Sequence, residues 1–204
     1  MGKAEENKKT KQNALYSTAF HLFTTKGLAK TTISDIVESA GVAKGTFYLY
    51  FKDKYDIRNK LIAHKTAELF NRAFQALQSQ KKSMGFEESL DFLIDYILDL
   101  LSHDKPLLIF ISKNLSWGVF RGALSEVTGE DTASLDFEQS YLGVLMLSEK
   151  QYRDPELLLF TILELVGATC HSCILYGQPV SIEEYKPVLH RSIHGILRSF
   201  ETTD

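Results

Sequence analysis

The sequence predicts an all-α chain in two parts: an N-terminal three-helix domain built on a helix-turn-helix, residues 1–53, and a helical domain, residues 54–204, with about nine helices in all. Apolar residues recur at helical spacing almost throughout the 204 residues, with no convincing strand pattern and no internal repeat. Residues 32–54, TISDIVESAGVAKGTFYLYFKDK, have the spacing of two short helices folded around a glycine turn. Cap residues open several of the periodic stretches.

The first helix runs from about Asn7 to Lys26, with Leu15, Ala19, Leu22 and Phe23 inward and Gly27 as its stop. The charged residues before it are expected to fray. Thr32 then serves as an N-cap, with Asp35 three residues on, where a capping box puts its acid. Ile36, Ala40, Val42, Phe47 and Tyr50 are positioned to pack between two crossing helices. Gly41 sits at the bend, where a positive φ is easiest to hold. The second helix of the motif, about Ala43 to Phe51, is too short to be stable alone and must be held by its neighbours. Its outer face offers Lys44, Gly45, Thr46, Tyr48 and Tyr50, a set suited to the edges and phosphates of DNA.

Asp53 caps a long helix to about Gln80, unbroken by glycine or proline and carrying Ile57, Leu61, Leu69 and Leu77. The next helix, Phe86 to Ser102, sets Leu90, Leu93, Ile94, Ile97, Leu98 and Leu101 on one stripe. Asp91, Asp95 and Asp99 line another of its faces and read as a solvated acidic stripe rather than a metal site. Pro106 opens a shorter helix to about Ser116, Gly118–Gly129 has no clear pattern, and a helix spans about Thr132 to Leu147. Asp154-Pro155 signals the start of a helix to Tyr176 that is apolar nearly all round and must be covered on several sides. Ser181 and Glu184 form a capping box for the last helix, whose stripe is Leu189, Ile193, Ile196 and Phe200. One chain has too few other elements to cover these last two helices. Residues 155–176 and 182–200 are therefore expected to pack on their copies in a homodimer.

Charge separates along the chain. Residues 1–60 hold 11 Lys and Arg against 6 Asp and Glu, and residues 61–204 hold 12 against 20. A basic head on an acidic body fits a polyanion-binding domain joined to one that does not bind DNA. No run of 18 apolar residues occurs, so no membrane span is expected. The N-terminus, MGKAEENKKTKQ, lacks the apolar segment of a secretory signal, and the two cysteines are too few for a disulfide scaffold. Both observations predict a cytoplasmic location.

Chemistry finds little to work with. Cys170-His171-Ser172-Cys173 puts two thiols on one face, but deep inside a predicted helix and far from its positive end. Buried small residues are the better account, with thiol-based redox sensing through Cys170 and Cys173 as the alternative. His190 and His194 have i, i+4 spacing, yet HRSIH lacks the glutamate of a zinc protease. No Walker loop and no GxGxxG is present. The chain is expected to be no enzyme and to need no cofactor or metal.

The segments ALYSTAFHLFTTKGLAKTTISDI, AGVAKGTFYLYFKDK and YDIRNKLI resemble the tetracycline-repressor (TetR, AcrR-like) family of bacterial transcription regulators. Val37 is a small departure, since alanine is frequent there, and repacking absorbs it. The resemblance implies a homodimer on a palindromic double-stranded operator, with recognition helices in successive major grooves. It implies Lys44, Thr46 and Tyr48 at bases or nearby phosphates, Gly45 at a close backbone approach, and Thr32, Tyr50 and Lys54 at phosphates. Leu49 points outward, to a thymine methyl or simply to pack. The resemblance further implies a helical ligand-binding and dimerisation body, a small-molecule effector, and repression relieved when that ligand shifts the long helix. Phe110, Trp117, Phe120, Arg121, Tyr141 and His171 are candidates for the effector pocket, with ordinary core and surface roles as the competing reading. An adaptor that has lost DNA binding is the other alternative, against which the intact Lys44, Gly45, Thr46 and Lys54 argue.

Overall fold

The computed structural model describes residues 3–80, 84–114, 148 and 150–202. Within them lie eight α-helices and, apart from one isolated antiparallel bridge between Tyr152 and Glu201, no β-structure. The helices are α1 Lys3–Thr25, α2 Ile33–Ala40, α3 Lys44–Tyr50, α4 Lys54–Gln78, α5 Phe86–His103, α6 Lys105–Asn114, α7 Pro155–Tyr176 and α8 Ile182–Phe200. Two compact units emerge, Met1–Lys65 and Thr66–Asp204, and the division falls inside α4. Gly118–Gly129 and the helix expected over Thr132–Leu147 lie outside the described residues.

In the first unit, Leu15, Ala19, Phe23, Ile36, Val37, Phe47, Phe51, Ile57, Leu61 and Ile62 are buried. Most of these were expected from periodicity. Phe51 was not, and it replaces Tyr50, Ala40 and Val42, which are only half-buried. The polar start expected to fray is instead helical from Lys3. Lys, Glu and Gln are strong helix formers, and Glu5 and Glu6 fall in the first turn, where negative charge favours the positive end of the helix. Gly27, at φ 85°, ends the helix with its N–H on the Leu22 carbonyl.

The second unit has its core in Ala73, Phe74, Phe86, Leu93, Ile94, Leu98, Leu158, Cys170, Leu189, Ile193 and Leu197. Here α7 packs on α8, α6 and α5, and α8 also meets α5. Ser181 and Glu184 make the predicted capping box. Asp154, by contrast, makes no side-chain cap bond, so α7 starts on Pro155 alone. By length and composition α7 could cross a membrane, contrary to the expectation drawn from apolar runs. Its Leu158, Leu159, Ile162, Leu163, Leu165, Val166 and Ile174 nevertheless join the core cluster, as a core helix must.

The acidic stripe of α5 is not simply solvated. Lys186 Nζ donates to Asp99 Oδ1 at 2.7 Å, His190 Nε2 lies 2.9 Å from Asp95 Oδ1, and His194 Nε2 lies 3.1 Å from Asp91 Oδ1. Two antiparallel helices with the same four-residue period bring these rungs into register. Burial raises the pKa of the Asp91 carboxyl against the opposing pull of His190 and His194.

Candidate nucleic-acid interface

The turn between α2 and α3 is fixed by local bonds. The Thr32 hydroxyl accepts from the Asp35 N–H at 3.1 Å, and the Thr32 N–H donates to Asp35 Oδ2 at 2.8 Å. These reciprocal bonds are a complete capping box. Lys26 Nζ also donates to Asp35 Oδ2, at 2.5 Å. Lys26 first, and Thr32 after it, hold the Asp35 carboxyl down to about 2. Gly41 takes the left-handed conformation, φ 66°, and its N–H closes the last turn of α2 on Glu38 and Val37.

The short α3 is seated by its aromatic back. Phe47 and Phe51 are 0% and 1% exposed, with ring centroids 5.5 Å apart, and Tyr16 meets Phe51 edge-on at 5.2 Å. Burial of two such rings contributes roughly 3–6 kcal/mol, at about 1.5–3 each. That offsets the nucleation cost that a seven-residue helix cannot meet by itself. Lys60 Nζ donates to the Tyr50 carbonyl at 3.3 Å, holding the C-terminal end. Sequence reasoning missed Phe51 and Lys60 as the seat of this helix. The Asp56–Lys60 spacing, an i, i+4 ion pair at 3.4 Å, was the available signal for Lys60.

The opposite face is open. Lys44 and Gly45 are exposed, Tyr48 is 53% and Leu49 80% exposed, and Thr46 is half-buried. A Cβ on Gly45 would meet nothing within 4 Å. The chain itself therefore gives no steric reason for a glycine there. Tyr50 is drawn aside, its hydroxyl donating to the Lys8 carbonyl at 3.2 Å.

Lys54 is used differently from the sequence expectation. Its ammonium donates to the carbonyls of Leu28, Ala29 and Thr31 at 3.0, 3.3 and 3.1 Å. An ammonium has three protons, so this clamp engages all of them. It secures the loop between α1 and α2, with buried Thr31 adding a bond from its hydroxyl to the Gly27 carbonyl at 2.8 Å. The N-terminus of α4 is capped separately, by Asp53 Oδ1 accepting from the N–H groups of Tyr55 and Asp56.

Thr32, Lys44, Gly45, Thr46, Tyr48, Tyr50 and Lys54 thus all lie in the first unit, on or beside the helix-turn-helix. Of the pocket candidates, Phe110 is buried on α6 and His171 is half-buried on α7, edge-on to Tyr176. Trp117, Phe120, Arg121 and Tyr141 lie outside the described residues. Cys170 and Cys173 are free and buried, and burial pushes the Cys170 thiol up to about 11. A thiol held protonated is a poor nucleophile, which weighs against redox sensing.

A helix-turn-helix whose second helix is anchored behind and bare in front defines a class of nucleic-acid-reading folds. Residues 15–61 match the family model described as bacterial regulatory proteins, tetR family. The HTH-type transcriptional regulator YvdT of Bacillus subtilis, itself uncharacterized, is 32% identical over 107 residues, covering 52% of this chain and 53% of that protein. A fatty acid metabolism regulator protein of Bacillus subtilis is 31% identical over 104 residues, 51% of this chain and 52% of that one. The match therefore spans about half the length of these curated relatives. The crystal structure of a transcriptional regulator FadR from Bacillus subtilis in complex with stearoyl-CoA has a TM-score of 0.61. It is 21% identical, with 88% of this chain and 96% of that one covered, a likeness of fold. The likeness to the tetR family of bacterial regulatory proteins is thus carried by residues 15–61, the helix-turn-helix and the helices that flank it.

Proposed function

We propose that this protein is a ligand-responsive transcriptional regulator, most simply a repressor, that binds a palindromic double-stranded operator as a homodimer through α3. One observation carries the reading. Phe47 of α3 and Phe51 just after it are fully buried, while Lys44, Gly45, Tyr48 and Leu49 of the same short helix face solvent. In this reading Lys44, Thr46 and Tyr48 meet bases or adjacent phosphates, Gly45 admits the backbone of the duplex, Thr32 meets a phosphate, and Tyr50 reaches one only by releasing the Lys8 carbonyl. Lys54 adds positive charge at the start of α4 while it clamps the α1–α2 loop. Residues 1–53 form the DNA-reading part and 54–204 the effector and dimerisation part, with the two chains pairing through 155–176 and 182–200. The half-buried and exposed apolar residues of α7 and α8, among them Leu157, Tyr176 and Val188, support that pairing.

The effector is a small molecule held in the second unit, with Phe110 and His171, and Trp117, Phe120, Arg121 and Tyr141 from the sequence, as its contacts. One relative regulates fatty acid metabolism and one fold neighbour was solved with stearoyl-CoA, so long-chain acyl-CoA is the first effector class to test. An effector shifts DNA affinity only as far as it distinguishes the two states of the regulator. Fluorescence anisotropy on the duplex upstream of its own gene tests the reading. Saturable, sequence-selective binding that acyl-CoA weakens is expected. Equal affinity for that duplex and a scrambled one removes the regulator reading, and tight acyl-CoA binding with no change in DNA affinity removes the switch.

A further inference from the structure

The first half of α1 is a helix with no core beneath it. Residues 5–11 are all exposed, and Leu15 is the first fully buried side chain of the helix. No apolar surface holds these turns, and an isolated helix of such length is marginal in water. Among the described residues their one long-range hydrogen bond is the tether from the Tyr50 hydroxyl to the Lys8 carbonyl, reaching 42 residues along the chain.

That tether decides where the overhang lies. With buried Phe47 as reference, a 100° step per residue puts Thr46 and Tyr50 on one flank of α3, Tyr48 on the other, and Gly45 and Leu49 in front. The overhang therefore borders the Thr46–Tyr50 flank of the open face. Lys8 and Lys11 stand at i−7 and i−4 from Leu15, on the side of α1 that turns inward further along. Both remain exposed because the helix has run past its core. Neither has a carboxylate partner among the described residues.

We infer that this overhang extends the DNA-binding surface, with Lys8 and Lys11 meeting backbone phosphates beside the bases that α3 reads. The inference rests on the proposal that α3 reads DNA. Lysine is a compact charge on a flexible stem, suited to phosphates without base selection. The contact is therefore sequence-independent and appears as salt dependence. Glu5 and Glu6 bound the positive patch at its outer end.

The test is a Lys8→Gln/Lys11→Gln variant of the full chain, titrated into a labelled duplex of arbitrary sequence across a salt series, beside the parent and Lys44→Gln. The slope of log affinity against log salt should fall by about 0.9 for each lysine that meets a phosphate, with unchanged helical circular dichroism. Lys8→Arg/Lys11→Arg should restore the parent slope. In the parent, amide exchange of residues 5–12 should slow when the duplex is added. A parental slope in the Gln variant overturns the inference, as does exchange that the duplex leaves unchanged. If Lys44→Gln loses affinity in the same experiment, the reading of α3 stands without the overhang. A parent that binds no duplex at low salt overturns both.

Discussion

His190 Nε2 lies 2.9 Å from Asp95 Oδ1 and is the middle of three rungs that join α8 to α5. The outer rungs are Lys186 to Asp99 and His194 to Asp91. His190 Nδ1 also lies 3.9 Å from Asp91 Oδ2, and His194 Nδ1 3.7 Å from Glu87 Oε2, so every ring nitrogen faces a carboxylate. An acidic edge on one helix is answered by a basic edge on the other, and only the antiparallel register aligns them.

A double-mutant cycle measures what the middle rung contributes. Asp95→Asn and His190→Gln, singly and together, should show a coupling of about 0.5–1 kcal/mol in urea unfolding at pH 6, a partly exposed pair at the upper end of surface ion pairs. Strict additivity of the two substitutions would mean that the rung is a contact without energetic weight.

Lys186 sets a limit at high pH. Burial disfavours its charge, but hydrogen bonds to Asp99 and Glu183 outweigh that and raise its pKa above the ordinary 10.5. A raised lysine stabilises the fold fully below 10.5, and the contribution is lost as pH climbs through the folded value. Thermal melts of the parent and Lys186→Met should therefore differ at pH 7–9 and converge as pH climbs through the raised folded value. A constant difference across that range would show that Lys186 acts through its stem rather than its charge.

Asp35 behaves in the opposite sense. Its carboxyl is held at about 2 by Lys26 and Thr32, below the ordinary 3.8. The stabilisation is present above 3.8 and fades as pH falls toward 2. Parent and Asp35→Asn should differ at neutral pH and draw together between about pH 4 and pH 2, read by circular dichroism of the head. Thr32→Ala removes the other half of the box and should cost about 1 kcal/mol at neutral pH.

Lys54→Met tests the clamp on the α1–α2 loop. The methionine keeps most of the stem and leaves the carbonyls of Leu28, Ala29 and Thr31 without their donor. The expected loss is about 1–3 kcal/mol of stability, with faster amide exchange around residues 28–33 and weaker DNA binding on every sequence. If stability is unchanged and only the salt slope falls, Lys54 is a phosphate contact and not a clamp.

These cases separate what was legible in the sequence from what was not. Thr32 with Asp35, Ser181 with Glu184, and the left-handed Gly41 were legible because caps and turns are local chemistry, decided within a few residues. Lys54 was legible as a cation at a helix start but not as a clamp, because its acceptors are backbone carbonyls 23 to 26 residues away. Asp91, Asp95 and Asp99 read as solvated because their partners lie about ninety residues on. The matching period of Lys186, His190 and His194 was the signal, and it needed the helix pairing to be interpreted. The open face of α3 was legible because a short helix seated on buried Phe47 turns its opposite side to solvent.

Gly45 gives the sharpest test of that face, because stability and function should move in opposite directions. It sits in α3 with no positive φ, and an added Cβ would meet nothing within 4 Å. Gly45→Ala should therefore stabilise the head, by up to about 1 kcal/mol, through helix propensity alone. The same methyl would stand between α3 and the duplex, where the proposal requires the backbone to come close. Urea unfolding should show a higher midpoint while anisotropy on the upstream duplex shows affinity lower by about tenfold or more, the equivalent of 1.4 kcal/mol. A variant that is stabilised and binds as tightly as the parent would mean that DNA does not approach α3 at Gly45. The glycine would then have no role in recognition, and the contact would have to be sought at Lys44, Thr46 and Tyr48.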